Sequence, residues 1–242
     1  MSHSLFISDL HLCTEDPHSI RGFLHFMQSI APGADDLYIL GDLFEYWAGD
    51  DDTADPFHCQ IIGALHALSL TGTRISIMHG NRDLLMGQEL AKLSGATLIS
   101  DPTLINLHGT QTLLTHGDTL CTDDVAYQNY RAQVHDPVWQ QDFLSQSLAE
   151  RKAFIIKLRA RSEQEKSLKD KDIMDVNLNA VADLLRRHAY PNIIHGHTHR
   201  LNRHLHTVDG HSCERWVLGD WHTTGNALRC DEEGCHWETI TL

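Results

Sequence analysis

Five short apolar runs, each ending in a polar cluster, constrain this chain more than any other feature. Leu5-Phe6-Ile7 leads to Asp9 and His11, Leu37-Tyr38-Ile39-Leu40 to Gly41-Asp42, and Ile75-Ser76-Ile77-Met78 to Gly80-Asn81-Arg82-Asp83. Thr112-Leu113-Leu114-Thr115 leads to His116-Gly117-Asp118, and Asn192-Ile193-Ile194 to Gly196-His197-Thr198-His199. Apolar runs this short and unbroken are what strands buried on both faces look like. Helical patterns lie between them, over 19–30, 57–70, 125–134 and 175–187. This βαβ rhythm predicts an α/β fold, in which sites gather at the carboxyl ends of the strands. Each polar cluster stands where that rule puts a site.

After residue 200 the texture changes. Stretches 205–208, 216–218, 227–230 and 237–242 read as short strands separated by Gly or Asp turns. They predict a second, more antiparallel sheet packed on the first. The length of 242 residues fits one domain, with no Pro/Gly/Ser linker to divide it. The largely helical stretch 122–172 reads as an insertion between two site-bearing strands.

Composition closes off several alternatives. A formal net charge of −14 argues against a dedicated nucleic-acid binder, which needs a broad basic surface. No apolar run approaches the length of a membrane span, so contact with a membrane would be peripheral. The six cysteines are read as reduced thiols in a cytosolic protein, because the start MSHSLFISDLHL shows no secretory leader. Cys230 and Cys235 with His236 make a poor zinc fragment, and scattered thiols are the preferred reading there. The 19 histidines suit metal chemistry, although most of them must be surface or packing residues.

Each cluster is weak alone. Asp-x-His is usually a solvated loop, Gly-Asp an ordinary turn, and His-Gly-Asp structural. Gly-His-x-His is moderate evidence for a metal. Together, and each at a strand end, they are strong. Asp9 and His11 should project to one side of an extended chain end, since side chains alternate there. Gly41 lets the backbone turn tightly before Asp42. Asn81 brings a neutral oxygen, and His116, His197 and His199 bring nitrogens. Mixed N and O donors suit Mn²⁺, Fe²⁺ or Zn²⁺ better than Ca²⁺ or Mg²⁺. Two such ions can share a carboxylate and supply an activated hydroxide that attacks phosphorus.

In this order the motifs resemble the calcineurin-like metallophosphoesterase superfamily. That resemblance implies an αββα sandwich of two mixed sheets flanked by helices. It assigns Asp9, His11, Asp42 and His199 to one ion, and Asp42, Asn81, His116 and His197 to the other, with Asp42 bridging. Many members carry histidine where this chain has Arg82. Arginine cannot act as an acid near neutral pH, but its planar fork can clamp phosphate oxygens. A leaving group that needs no proton is then expected, and a phosphoanhydride fits. Asp42, Asn81, Arg82 and His116 are the expected catalytic set.

The longer stretches Gly41-Asp-Leu-Phe-Glu-Tyr-Trp-Ala-Gly-Asp-Asp51, His116-Gly-Asp-Thr-Leu-Cys-Thr-Asp-Asp124 and His195-Gly-His-Thr-His-Arg200 closely resemble one branch, together with Ile173-Met-Asp-Val-Asn177. That branch is the UDP-2,3-diacylglucosamine diphosphatases of lipid A synthesis in Gram-negative bacteria. It implies Mn²⁺-dependent attack at the α-phosphorus, giving UMP and 2,3-diacylglucosamine 1-phosphate. It also implies a peripheral monomer at the cytoplasmic face of the inner membrane, with no protein partner and no nucleic acid. Substrate contacts are expected at Asn81, Arg82, Asp124, Ser162, Lys166, Lys169 and His197, with Tyr127 bordering the site. His195, outside the Gly-His-x-His pattern, is read as a packing or supporting residue.

Residues 151–171 hold eight basic and three acidic side chains, a cationic excess in an acidic chain. On a helix Arg159, Ser162, Lys166 and Lys169 would share one face suited to a sugar phosphate. Trp139, Phe143, Leu144, Leu148, Phe154, Ile155 and Leu158 would line an acyl chamber or touch lipid. The plainer alternatives are a solvated helix face and core packing. Rival functions are a generic phosphomonoesterase or cyclic-nucleotide phosphodiesterase on the same metals, a nuclease, and a binding scaffold without catalysis.

Overall fold

The computed structural model describes residues 2–168, 173 and 175–242, with the side chains of 161–168 outside that set. The first half runs β1 (Ser4–Ile7), α1 (Pro17–His25), β2 (Asp36–Leu40), α2 (Pro56–Ser69), β3 (Arg74–Met78), α3 (Gln88–Ser94) and β4 (Thr97–Ile99). There follow β5 (Thr103–Leu107), β6 (Thr110–Thr115), α4 (Val125–Val134), α5 (Pro137–Leu144), α6 (Leu148–Leu168) and α7 (Leu178–Arg187). The chain ends with β7 (Asn192–His195), β8 (Asn202–Val208), β9 (His211–Val217), β10 (Gly225–Asp231) and β11 (Gly234–Ile240).

The helix starts are written in the sequence. Asp16-Pro17, Asp55-Pro56 and Asp136-Pro137 each place a capping carboxylate before a proline whose missing N–H costs the first turn nothing. Asp124 and Asn177 cap α4 and α7 in the same way. The cap at Asn177 starts α7 a few residues later than the predicted helix beginning at 175.

Side-chain alternation assembles the layers. Leu5, Ile7, Leu37, Ile39, Ile75 and Ile77 face α1–α3, packing with Phe23, Phe26, Ile61, Leu65 and Leu90. Phe6, Leu40 and Met78 face the other way, onto Leu114, Ile194, Trp216 and Leu218. Leu113 and Ile193 then cover α7 through Val181, Leu184 and Leu185. Each of these large side chains contributes roughly 1.5–3 kcal/mol on full burial. The result is the expected αββα sandwich of two mixed sheets.

The first sheet has the order β11-β10-β1-β2-β3-β4 and the second β5-β6-β7-β9-β8. This corrects the expectation for the strands after residue 200, which do not form a sheet of their own. β8 and β9 extend the second sheet beside β7, whereas β10 and β11 join the first sheet antiparallel to β1. β4 and β5 carry no unbroken apolar run, because they are short or half-exposed strands at the sheet edges.

The reading of Cys230 and Cys235 as reduced thiols is corrected as well. The β10–β11 register sets them directly opposite each other, and their sulfurs form a disulfide. Cys13, Cys59 and Cys213 are free thiols. No helix among the described residues is long and apolar enough to cross a membrane.

Candidate metal centre

Parallel pairing of β1 with β2 and β2 with β3, and of β6 with β7, brings five carboxyl ends to one edge of the sandwich. The loops leaving them carry the predicted ligands. Asp9, His11, Asp42, His197 and His199 all adopt left-handed backbone, with φ of 55°, 49°, 52°, 67° and 57°. Non-glycine residues pay on the order of 1–3 kcal/mol each for strained backbone, and such residues cluster where geometry serves a site. This corrects the expectation that strand alternation puts Asp9 and His11 on one side. β1 has ended, and two left-handed residues turn them.

These turns are braced. The N–H groups of Asp9 and His11 donate to the carbonyls of Gly41 and Asp42 at 3.1 and 3.0 Å. At Gly41, with φ of 93°, an added Cβ would lie 2.5 Å from His116 Nδ1 and 2.7 Å from Gly80 Cα. Only glycine lets the loops after β2, β3 and β6 approach this closely. Asp83, which the sequence reading left without a role, is fully buried and accepts N–H groups from Leu43 and Gly80 at 2.8 Å and Phe44 at 3.3 Å.

All seven predicted ligands converge. His11 Nε2 and His199 Nε2 are 3.3 Å apart, and His199 Nε2 is 3.3 Å from Asp9 Oδ1. On the other side, Asn81 Oδ1 lies 3.1 Å from His116 Nε2 and 2.9 Å from His197 Nδ1. Asp42 Oδ2 stands between the halves, 3.8 Å from His11 Nε2 and 3.9 Å from His116 Nε2. Among the described residues two donor groups are compact enough to hold an ion, Asp9/His11/His199 and Asp9/Asp42/His116. Asp9 thus reaches both halves, as Asp42 does.

The donor set fits divalent metal. Asp9 Oδ1 is buried and makes no hydrogen bond, an arrangement that costs free energy unless a cation meets it. Three imidazoles turn Nδ1 towards an acceptor and leave Nε2 for the centre, His199 and His116 through hydrogen bonds and His11 through an ion-pair contact outside hydrogen-bond geometry. His11 Nδ1 lies 2.8 Å from Glu45 Oε2, His199 Nδ1 3.0 Å from Asp220 Oδ2, and His116 Nδ1 2.8 Å from the Leu40 carbonyl. Partners of this kind orient metal-binding histidines and raise their basicity.

The electrostatics agree. Burial opposes charge on His116, but Asp42, Asp9 and Asp118 raise it to about 9. Burial likewise opposes charge on His199, and the nearby carboxylates of Asp220 and Asp9 raise it to about 10. The carboxylates thus hold positive charge at the centre. Buried His197 is pushed down to about 3 by burial and by His116, so its nitrogen is unprotonated at neutral pH.

The predicted substrate contacts are placed unevenly. Arg82 is at the rim, its N–H on Asp42 Oδ1 at 2.8 Å and its guanidinium 4.0 Å from Glu45. Asp124 caps α4, accepting the Tyr127 N–H at 3.1 Å. Tyr127 borders the site as expected, its ring 5.6 Å from that of His197 and its hydroxyl donating to Asp118 at 2.8 Å. Ser162 and Lys166 fall where side chains are outside the described set, and Lys169 lies outside the described residues. His195 stays out of both donor groups. Arg215 donates to its Nε2 at 2.9 Å, which leaves Nδ1 to donate to the Gly196 carbonyl at 2.8 Å.

Of the predicted basic face of α6 only Arg159 has a described side chain, and it answers a carboxylate, as Arg151 and Lys152 do. Arg151 pairs with Asp51, Lys152 with Asp52 at 2.7 Å, and Arg159 with Glu45. These charges answer carboxylates of the loop after β2, neither solvated nor left to a phosphate alone. Of the apolar set, Phe143 is buried between Trp139 and Phe154, with ring centroids at 4.9 and 5.4 Å. Leu144 and Phe154 are each 43% exposed.

Glu45, Asp83, Asp118 and Asp220 were missed as supporting residues. Asp220 carried a usable signal, since Gly219-Asp220 follows an apolar strand end as Gly41-Asp42 does.

Residues 3–201 match the calcineurin-like phosphoesterase family. The chain is 53% identical over 231 residues to a UDP-2,3-diacylglucosamine hydrolase from Aromatoleum aromaticum, covering 96% of this chain and 94% of the relative. It is 47% identical to a protein of the same name from an Enterobacter species, covering 96% of each. In structure it is similar to a dimetal phosphatase from Danio rerio, with a TM-score of 0.50 and 13% identity over 99% of this chain and 98% of that one. At that identity the likeness concerns the fold.

Proposed function

The chain belongs to the calcineurin-like phosphoesterase family, and from that premise we propose that it hydrolyses the diphosphate bond of UDP-2,3-diacylglucosamine. The products are UMP and 2,3-diacylglucosamine 1-phosphate, and two Mn²⁺ ions are the cofactor. The observation that carries the chemistry is the convergence of Asp9, His11, Asp42, Asn81, His116, His197 and His199 around one buried point. The substrate follows from relatives at 53% and 47% identity that carry its name.

When bound, the ions would supply a water activated near neutral pH and positive charge against the phosphoryl oxygens. Asp9, His11, Asp42 and His199 would hold one, and Asp42, Asn81, His116 and His197 the other. Arg82 clamps the diphosphate and keeps its proton, since a guanidinium is no acid at neutral pH. The departing lipid phosphate leaves as an anion and needs none. His197, unprotonated, remains a donor at neutral pH.

Residues 122–172 act as a helical cap on a single domain. Exposed Val138, Leu144, Phe154 and Ile156 on α5 and α6 give the cap an apolar surface for acyl chains or the inner-membrane face. The protein works as a monomer in peripheral contact with that membrane, with no nucleic acid. Generic phosphomonoester hydrolysis is the weaker reading, because it gives Arg82 and the cap no part.

Product analysis in isotopically labelled water tests the reading. UMP carrying the label, beside unlabelled lipid phosphate, is the expected result. Rapid hydrolysis of p-nitrophenyl phosphate without turnover of the nucleotide lipid would overturn the substrate and leave the centre standing.

A further inference from the structure

Glu45 stands between the metal centre and α6. Its N–H donates to the Leu12 carbonyl at 3.1 Å, which fixes the backbone beside the loop of His11. One carboxylate oxygen, Oε2, lies 2.8 Å from His11 Nδ1. The other, Oε1, pairs with the Arg159 guanidinium and lies 4.0 Å from Arg82 Nη1. The side chain is 16% exposed, so these charges are only partly screened by solvent.

Arg159 is eight residues beyond Arg151 on the same helix, roughly 12 Å along its axis. Arg151 and Lys152 tie the start of α6 to Asp51 and Asp52. They already anchor the helix, so anchoring alone does not require a bond from Arg159 to the carboxylate behind a metal ligand. That carboxylate touches both bodies and senses both.

We propose that Glu45 is a positioning residue that couples the seating of α6 to the grip of His11 on its ion. The inference rests on the two-metal reading above. With α6 seated, Arg159 holds Glu45 against His11, and the imidazole is held in orientation. With α6 lifted, Glu45 is free to turn from His11, and that half of the centre loosens. Coupling is reciprocal, so filling the centre must also favour the seated helix.

The test uses the full chain with Mn²⁺, measuring affinity by equilibrium dialysis and amide exchange over α6 with and without the ion. Glu45→Gln keeps the shape and removes the charge. It should weaken one of the two ions by about 10–100-fold, the usual effect of losing a partner of a ligating histidine. Arg159→Gln should weaken the same ion by about 5-fold or more. The double variant should lose no more than Glu45→Gln does. Mn²⁺ should slow exchange over α6 in the wild type and not in either variant. Unchanged affinity and unchanged Mn²⁺-dependent protection in Glu45→Gln would overturn the proposal, and so would losses that simply add. A wild type that binds no Mn²⁺ would instead bring down the two-metal reading, and this inference with it.

Discussion

Asp83 Oδ2 accepts the backbone N–H of Leu43 at 2.8 Å, and so ties the loop that carries Asn81 and Arg82 to the loop that carries Asp42. The same carboxylate takes N–H groups from Gly80 at 2.8 Å and Phe44 at 3.3 Å. Both of its oxygens are needed as acceptors.

Asp83→Asn should therefore destabilise the protein. An amide offers one acceptor oxygen, and its NH₂ would face backbone donors. Each buried group left unpaired costs about 1–3 kcal/mol. Removal of a buried charge offsets part of that, since burial and the nearby Asp42 push Asp83 up to about 6. A net loss of about 2 kcal/mol is expected in urea unfolding. An unchanged midpoint would contradict the bracing role.

Arg82→Ala should lower turnover of the nucleotide lipid by about 10²-fold, the scale of losing one charge-stabilising donor. Metal content should not change, because Arg82 meets the centre through its backbone N–H on Asp42, which alanine retains. Turnover and metal analysis of one preparation check this. If Arg82→Ala strips the metal, the residue has been misplaced.

Buried His195 makes stability pH-dependent. Burial and the adjacent Arg215 push it down to about 3 from its ordinary 6.5. As pH falls through 6.5 the unfolded chain takes up a proton that the folded chain refuses until about 3. The contribution is thus complete above 6.5 and is lost towards 3, at about 1.4 kcal/mol per pH unit. Urea midpoints between these limits should fall less steeply for His195→Gln, by one proton's worth. Equal slopes would show that His195 is protonated in the folded state.

How much of this was legible before the fold was known depends on distance along the chain. Asp9, Asp42, Asn81, His116 and His197 each follow an apolar run, so local sequence declares both the strand and the ligand at its end. The capping aspartates before Pro17, Pro56 and Pro137 are equally local. Strand partners are tertiary, which is why the separation of β8–β9 from β10–β11 was missed. The disulfide went with it, since the hairpin register sets Cys230 against Cys235. The pairing of Arg151 and Arg159 with Asp51 and Glu45 joins segments about a hundred residues apart, and no local pattern reports it. Left-handed backbone at Asp9 and His11 is set by hydrogen bonds to the neighbouring loop.

Electron paramagnetic resonance of the Mn²⁺-loaded protein reads whether Asp42 joins two ions in one centre. Two Mn²⁺ per chain should bind and give the multiline signal of an exchange-coupled pair, as for ions about 3.5–4 Å apart. Asp42→Ala should bind neither ion tightly and lose that signal. A single bound ion, or two that give only the spectrum of isolated Mn²⁺, would contradict the Asp42 bridge.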